Sequence, residues 1–224
     1  MLAEGGASPG ASPPRRLLAG RAALVAGLLL GAGALGFYWP ADSRAVVRRV
    51  VEPVVRARVE ALAPQIRVAA AESGLSPALV AGIVHAESSG RPDAVSSAGA
   101  LGLMQLLPPA VEDAARRLGI ETPGREALLE DPGLNLRLGA AHFAWTLEHE
   151  EEDLERALVA YNAGRTRLRR WSREAGSYEA WRAARRQAGD SPTLAYADRV
   201  LTLAESYGGS TAFAAAPDAE ERQP

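Results

Sequence analysis

The chain has 224 residues, 47% of them hydrophobic and 23% charged, with a formal net charge of -2 and no cysteine. That is room for one globular domain with a real core, plus flanking segments. The composition excludes a disulfide framework, a thiol nucleophile and a zinc-thiolate site. Three scattered histidines speak against a metal centre, and the near-neutral charge against capture of a nucleic-acid backbone, although arginines are locally dense.

Residues 1–21 open with "MLAEGGASPGASPP" and carry Arg15, Arg16 and Arg21, the composition of a disordered basic segment. The next eighteen residues, "AALVAGLLLGAGALGFYW" at 22–39, contain no charge. At ~1.5 Å each they make roughly 27 Å of helix, enough to cross a thin hydrocarbon core, and the closing "FYW" suits an interfacial aromatic belt. An uncleaved transmembrane signal-anchor is expected; a cleaved signal peptide, processed near "ADS" at Ala41–Ser43, is the alternative. Arginines flank both sides, so the positive-inside rule leaves the orientation open. Over 40–60, Val46, Val47, Val50, Val51, Val54, Val55 and Val59 recur at helical spacing, interrupted by Pro53, and read as an amphipathic connector.

From 61 to 207 helix signals follow one another and strand signals are scarce, so the domain is expected to be all-α. Ser76-Pro77 is an N-cap with proline at the first helical position, Leu79, Val80, Ile83 and Val84 form the stripe, and Gly90 is the expected C-terminal cap. "PAVEDAARRLG" ends on Gly119, "NLRLGAAHFAWTL" has small and large apolar residues at helical spacing, and "DLERALVAYNAG" ends on Gly164. "TLAYADRVLTLAESYGG" closes the domain, and 208–224 reads as a loose tail.

One residue conflicts with this pattern. Glu87 is seven residues after Val80, four after Ile83 and three after Val84, so a carboxylate shares their apolar face. Alone, such a glutamate is more often a fraying last-turn side chain in solvent. At a helix C-terminus, however, the macrodipole disfavours the charged form, and partial burial adds to that, so both raise the pKa. A glutamate kept protonated near neutral pH is what a general acid requires. Downstream, "SSAGALGLMQLLPPA" sets Gly99 and Gly102 among apolar residues with one amide, Gln105. This is either a tight turn or a backbone that lets a ligand approach closely.

"ESSGRPDAVSSAGALGLMQLLP", then "ALVAYNAGRTRLRRW", then "AYADRVL" resembles the soluble lytic transglycosylase family, over about 61–207 and in the expected order. The resemblance implies a goose-type-lysozyme-like helical domain with a sugar-binding groove, acting on peptidoglycan glycan strands without metal or cofactor. It implies Glu87 as catalytic acid/base and Ser96 near that carboxylate, with Gly102, Leu103, Met104 and Gln105 lining the groove. Tyr161 and Asn162 match the "AYNAG" pair, whose tyrosine approaches the glutamate, and Tyr196 matches a retained aromatic.

The implied reaction uses one carboxyl group. Glu87 protonates the β-1,4 oxygen between N-acetylmuramic acid and N-acetylglucosamine while the sugar's acetamido oxygen attacks the anomeric carbon. Glu87 then takes the muramyl 6-hydroxyl proton, leaving a 1,6-anhydro end. The expected location is the bacterial cell envelope, membrane-held through 22–39 with the domain on the periplasmic side. The sequence also departs from the family pattern. Gly90 stands where an aromatic is usual, Pro192 where an acid is usual and Leu194 where an arginine is usual, with Asp190 the nearest substitute acid. A hydrolytic muramidase and a non-catalytic peptidoglycan-binding or assembly module are the other readings these departures leave open.

Overall fold

A computed structural model describes residues 41–213; the expected basic segment, the anchor at 22–39 and the tail beyond 213 lie outside the described residues. The chain divides into two units, Met1–Val50 and Val51–Pro224, and the packing reported below belongs to the second. Among the described residues there are ten helices: α1 (Ala41–Ala61), α2 (Ala63–Glu72), α3 (Pro77–Ser88), α4 (Pro108–Leu118), α5 (Arg125–Glu130), α6 (Pro132–Glu148), α7 (Leu154–Ala163), α8 (Arg165–Ala175), α9 (Tyr178–Ala188) and α10 (Pro192–Gly208). No helix among them is by itself long and apolar enough to cross a membrane.

The core is built around α3. Every residue from Ala78 to His85 is buried, so this helix is wrapped on all sides rather than along one stripe. Pro77 starts it with a φ already suited to a helix. Ser76 stands at the N-cap in extended conformation but makes no side-chain capping bond, unlike the expectation. The helix also ends one residue earlier than expected: Ser89, not Gly90, is the left-handed cap (φ 55°), its amide donating to the His85 carbonyl. α10 packs along α3 and against α7, while α6 packs on α2, α4 and α7. The α3–α10 approach is close because of Gly82: a Cβ there would lie 2.9 Å from the Val200 carbonyl oxygen and 3.0 Å from the Ala204 nitrogen.

Two expectations about the flanks are corrected. α1 continues without a break through Pro53, which is exposed, and among its described valines only some are buried. Val55 and Val59 enter the core, whereas Val50, Val51 and Val54 are exposed. The tail is not loose at its start. Phe213 is buried edge-on against Tyr207, with ring centroids 5.3 Å apart, and Arg67 Nη1 donates to the Ala212 carbonyl at 2.7 Å. Burying one aromatic ring offsets the entropy of ordering a short segment.

α5, α8 and α9 bury few side chains. α8 buries only Leu168, and α9 buries Tyr178 and Trp181. They hold through a few large contacts, chiefly Trp171 stacked on Trp181 at 5.3 Å and 6°.

Candidate active site

The last turn of α3 presents Glu87, half-buried, and α10 supplies its partner: the Tyr196 hydroxyl donates to Glu87 Oε1 at 2.7 Å. Gly82 makes this bond geometrically available, since it lets the two helix backbones touch one turn below the carboxyl group. Burial pushes the Glu87 carboxyl above its ordinary range. The Tyr196 hydrogen bond and the positive charge of Arg199 pull the other way without cancelling it. Burial, reinforced by the charge of Glu87, raises both Tyr196 and Tyr161 well above the usual phenol range, so each stays a donor.

Tyr161, near the end of α7, belongs to the same cluster, but its bond goes elsewhere. Its hydroxyl donates to the Met104 carbonyl at 2.7 Å, so the direct partner of Glu87 is Tyr196 rather than the "AYNAG" tyrosine. The Tyr161 ring packs edge-on against Phe143 at 5.6 Å and lies beside His142. Burial lowers the His142 pKa to about 4, so it is neutral, and among the described residues its buried Nδ1 has no partner. Asn162 is exposed at the end of α7, two residues before the cap Gly164.

The "GALGLMQ" segment is a folded-back loop. Leu101 and Leu106 exchange both backbone hydrogen bonds at 3.0 Å, and the Ser96 hydroxyl accepts the Ala100 amide at 3.0 Å, so Ser96 closes a turn of the loop. Leu103 and Met104 are fully buried, so their side chains face the core. Gln105, half-buried with φ 48°, spends its amide nitrogen on the Ala94 and Gly102 carbonyls and keeps its side-chain oxygen for other partners. Gly102 is required twice over, by φ 72° and because a Cβ would collide with Asn135.

Asn135 and Glu150 went unrecognised in the sequence. Asn135, fully buried on α6, accepts the Met104 amide at 3.0 Å and donates to the Leu101 and Leu128 carbonyls at 3.1 Å, which pins the loop. Glu150, 1% exposed, is held by Arg156 Nε at 2.9 Å and Arg165 Nε at 2.8 Å. It thereby ties the start of α7 to the start of α8, and so fixes the turn that carries Tyr161 and Asn162. The only available signals were an asparagine inside an apolar stripe and one acid among four.

The departures from the family pattern also take their places. Pro192 opens α10 behind the N-cap Ser191, Leu194 is buried in the core, and Asp190 pairs on the surface with Arg185 at 3.3 Å.

A helical domain of this plan, with one half-buried glutamate held by a tyrosine from a neighbouring helix, has the lysozyme-like architecture. The family model described as "Transglycosylase SLT domain" matches residues 64–184, and the chain belongs to that family. That range includes Glu87, Ser96, Gly102–Gln105, Tyr161 and Asn162, but neither α1 nor Tyr196.

A transglycosylase of Enterobacteria phage PRD1 is 39% identical over 110 residues, 49% of this chain and 37% of the relative. Membrane-bound lytic murein transglycosylase C of Actinobacillus pleuropneumoniae is 31% identical over 127 residues, 53% of this chain and 35% of the relative. The matched segment thus spans little more than a third of these relatives' length. Among solved structures, an inactive glutamate-to-glutamine mutant of the lytic transglycosylase Slt from Pseudomonas aeruginosa superposes with a TM-score of 0.56 at 30% identity. It covers 65% of this chain and 23% of that one. The 70-kDa soluble lytic transglycosylase of Escherichia coli, TM-score 0.56, 22% identity, 68% and 25% covered, shares the fold.

Proposed function

We propose that this chain is a peptidoglycan lytic transglycosylase that cleaves between N-acetylmuramic acid and N-acetylglucosamine with Glu87 as its single acid/base. The observation that carries the reading is the Glu87–Tyr196 pair: one half-buried carboxyl group, elevated in pKa and held in place by a tyrosine hydroxyl. Protonated Glu87 gives its proton to the β-1,4 oxygen as the bond to the anomeric carbon breaks. The acetamido oxygen of the same sugar takes up the developing charge, so a second protein carboxylate is not needed. Glu87, now anionic, is stabilised by the Tyr196 hydrogen bond and removes the proton of the muramyl 6-hydroxyl. That oxygen closes on the anomeric carbon and expels the acetamido oxygen, leaving a 1,6-anhydro end.

The remaining residues act around this acid. Tyr161 braces the Met104 carbonyl and the loop, Ser96 keeps the loop's turn, and Gln105 and Asn162 offer polar groups to sugar hydroxyls or amides. Gly102, Leu103, Met104 and Gln105 form the segment that runs beside the sugar groove. We assign residues 22–39 to a membrane anchor and the catalytic unit to the periplasmic side, where glycan strands lie. The names of the membrane-bound murein transglycosylase relatives and the inactive glutamate-to-glutamine neighbour support this reading. Release of soluble fragments from purified sacculi is the test. Wild type is expected to solubilise them and Glu87→Gln to fail; equal release by the two proteins overturns the assignment. Binding of sacculi without release by wild type points instead to a non-catalytic module.

A further inference from the structure

α1 meets α3 at the end that carries Glu87. Arg58 Nη1 donates at 2.9 Å to the carbonyl of Ser89, the cap residue two positions beyond Glu87. Val59 is fully buried against Gly90: a Cβ on Gly90 would lie 3.1 Å from Val59 Cγ2, 3.2 Å from Arg58 Cγ and 3.3 Å from the Val59 nitrogen. A side chain at position 90 and α1 in this position therefore compete for one space. Further back, Glu52 Oε1 lies 3.3 Å from His85 Nε2, and His85 Nδ1 lies 2.9 Å from the Tyr207 hydroxyl of α10. Arg56 reaches the same end of α10, donating to Ser206 Oγ at 2.7 Å and to the Ser206 carbonyl at 3.1 Å. Its guanidinium also lies 4.8 Å from the Tyr207 ring centroid. All these α1 residues precede position 64, where the family match begins.

The final turn is the least fixed part of a helix, because its carbonyls have no partners within the helix. Glu87 stands in that turn. α1 supplies from outside what the turn lacks: a cation and donor on the terminal carbonyl, and a side chain filling the space behind it. It also holds the far end of α10, at Ser206 and Tyr207.

We propose that α1 is a positioning element of the active site, with Arg58 and the Val59–Gly90 contact setting the last turn of α3 so that Glu87 meets Tyr196. This rests on the reading of Glu87 as the acid. The test compares Arg58→Ala, Arg58→Lys and Arg67→Ala in the full chain, with kcat and KM measured on purified glycan strands. Arg67 makes the same kind of bond as Arg58, but to the Ala212 carbonyl of the C-terminal segment.

Arg58→Ala is expected to lose about tenfold in kcat with little change in KM, as displacement of a reacting group does. Arg58→Lys is expected to recover most of that loss, and Arg67→Ala to leave kcat alone. Unchanged kcat in Arg58→Ala, no recovery with lysine, or an equal loss in Arg67→Ala overturns the proposal. Should Arg58→Ala not yield folded protein, Gly90→Ala takes its place with the same expected loss in kcat, and an unchanged kcat overturns the proposal. Glu87→Gln is assayed alongside. If it stays active, the reading of Glu87 falls and the positioning role with it; if it is dead while Arg58→Ala is normal, only the positioning role falls.

Discussion

Tyr196→Phe removes one hydroxyl and leaves the ring that α10 lays against α3. That hydroxyl donates to Glu87 Oε1 at 2.7 Å. A hydrogen bond to a charged acceptor contributes about 1.5–3 kcal/mol and one to a neutral acceptor about 0.5–1.5 kcal/mol, so the carboxylate form loses more than the acid form, by on the order of 1 kcal/mol. The Glu87 pKa, already raised by burial, is expected to rise further, and the basic limb of the pH–rate profile to move to higher pH. The glutamate also loses its orienting contact, which is expected to lower kcat roughly 10- to 100-fold.

Tyr161→Phe is the contrast. Its hydroxyl serves the Met104 carbonyl, so its removal is expected to cost about 1–3 kcal/mol of stability and leave the basic limb nearly in place. Sacculus solubilisation across pH, with both variants beside wild type, gives the answer. A basic limb that stays put or moves to lower pH in Tyr196→Phe refutes the idea that this tyrosine stabilises the Glu87 carboxylate.

Other outcomes follow from the same geometry. Gly82→Val forces a side chain against the α10 backbone at Val200 and Ala204, and is expected to destabilise the fold by about 2 kcal/mol or more and to lower activity beyond that by separating Tyr196 from Glu87; thermal denaturation and solubilisation measure the two effects. Glu150→Ala removes the buried carboxylate that joins two guanidinium groups and is expected to cost about 1.5–3 kcal/mol in denaturant unfolding. For Glu87 itself the native state binds its proton more tightly than the unfolded chain does. Its contribution to stability therefore falls as pH rises from the ordinary value of 4.5 through the raised native pKa. Glu87→Gln is expected to remove this decline, read as Tm against pH.

Long apolar helices and their punctuation were legible from sequence. Gly119 and Gly164 end their helices where expected, and Pro77 begins its own. The acid at Glu87 was legible because it broke a pattern, and its raised pKa follows from the burial that the pattern implied. Polar residues inside the core were not legible. Asn135 and Glu150 resemble surface residues until tertiary structure brings carbonyls, an amide and two arginines to them.

The identity of the hydrogen bond to Glu87 was also beyond reach. It depends on the register of α10 against α3, which Gly82 sets and no local spacing encodes. The burial of Leu103 and Met104 follows from their apolar character, which places their side chains in the core.

The central claim is that Glu87 closes the muramyl 6-hydroxyl onto the anomeric carbon without water. Sacculi digested in heavy-oxygen water and analysed by mass spectrometry test it most directly. Fragments ending in 1,6-anhydromuramic acid, with no heavy oxygen at the new end and none formed by Glu87→Gln, are the expected result. Reducing ends carrying heavy oxygen would contradict the claim and make the protein a muramidase.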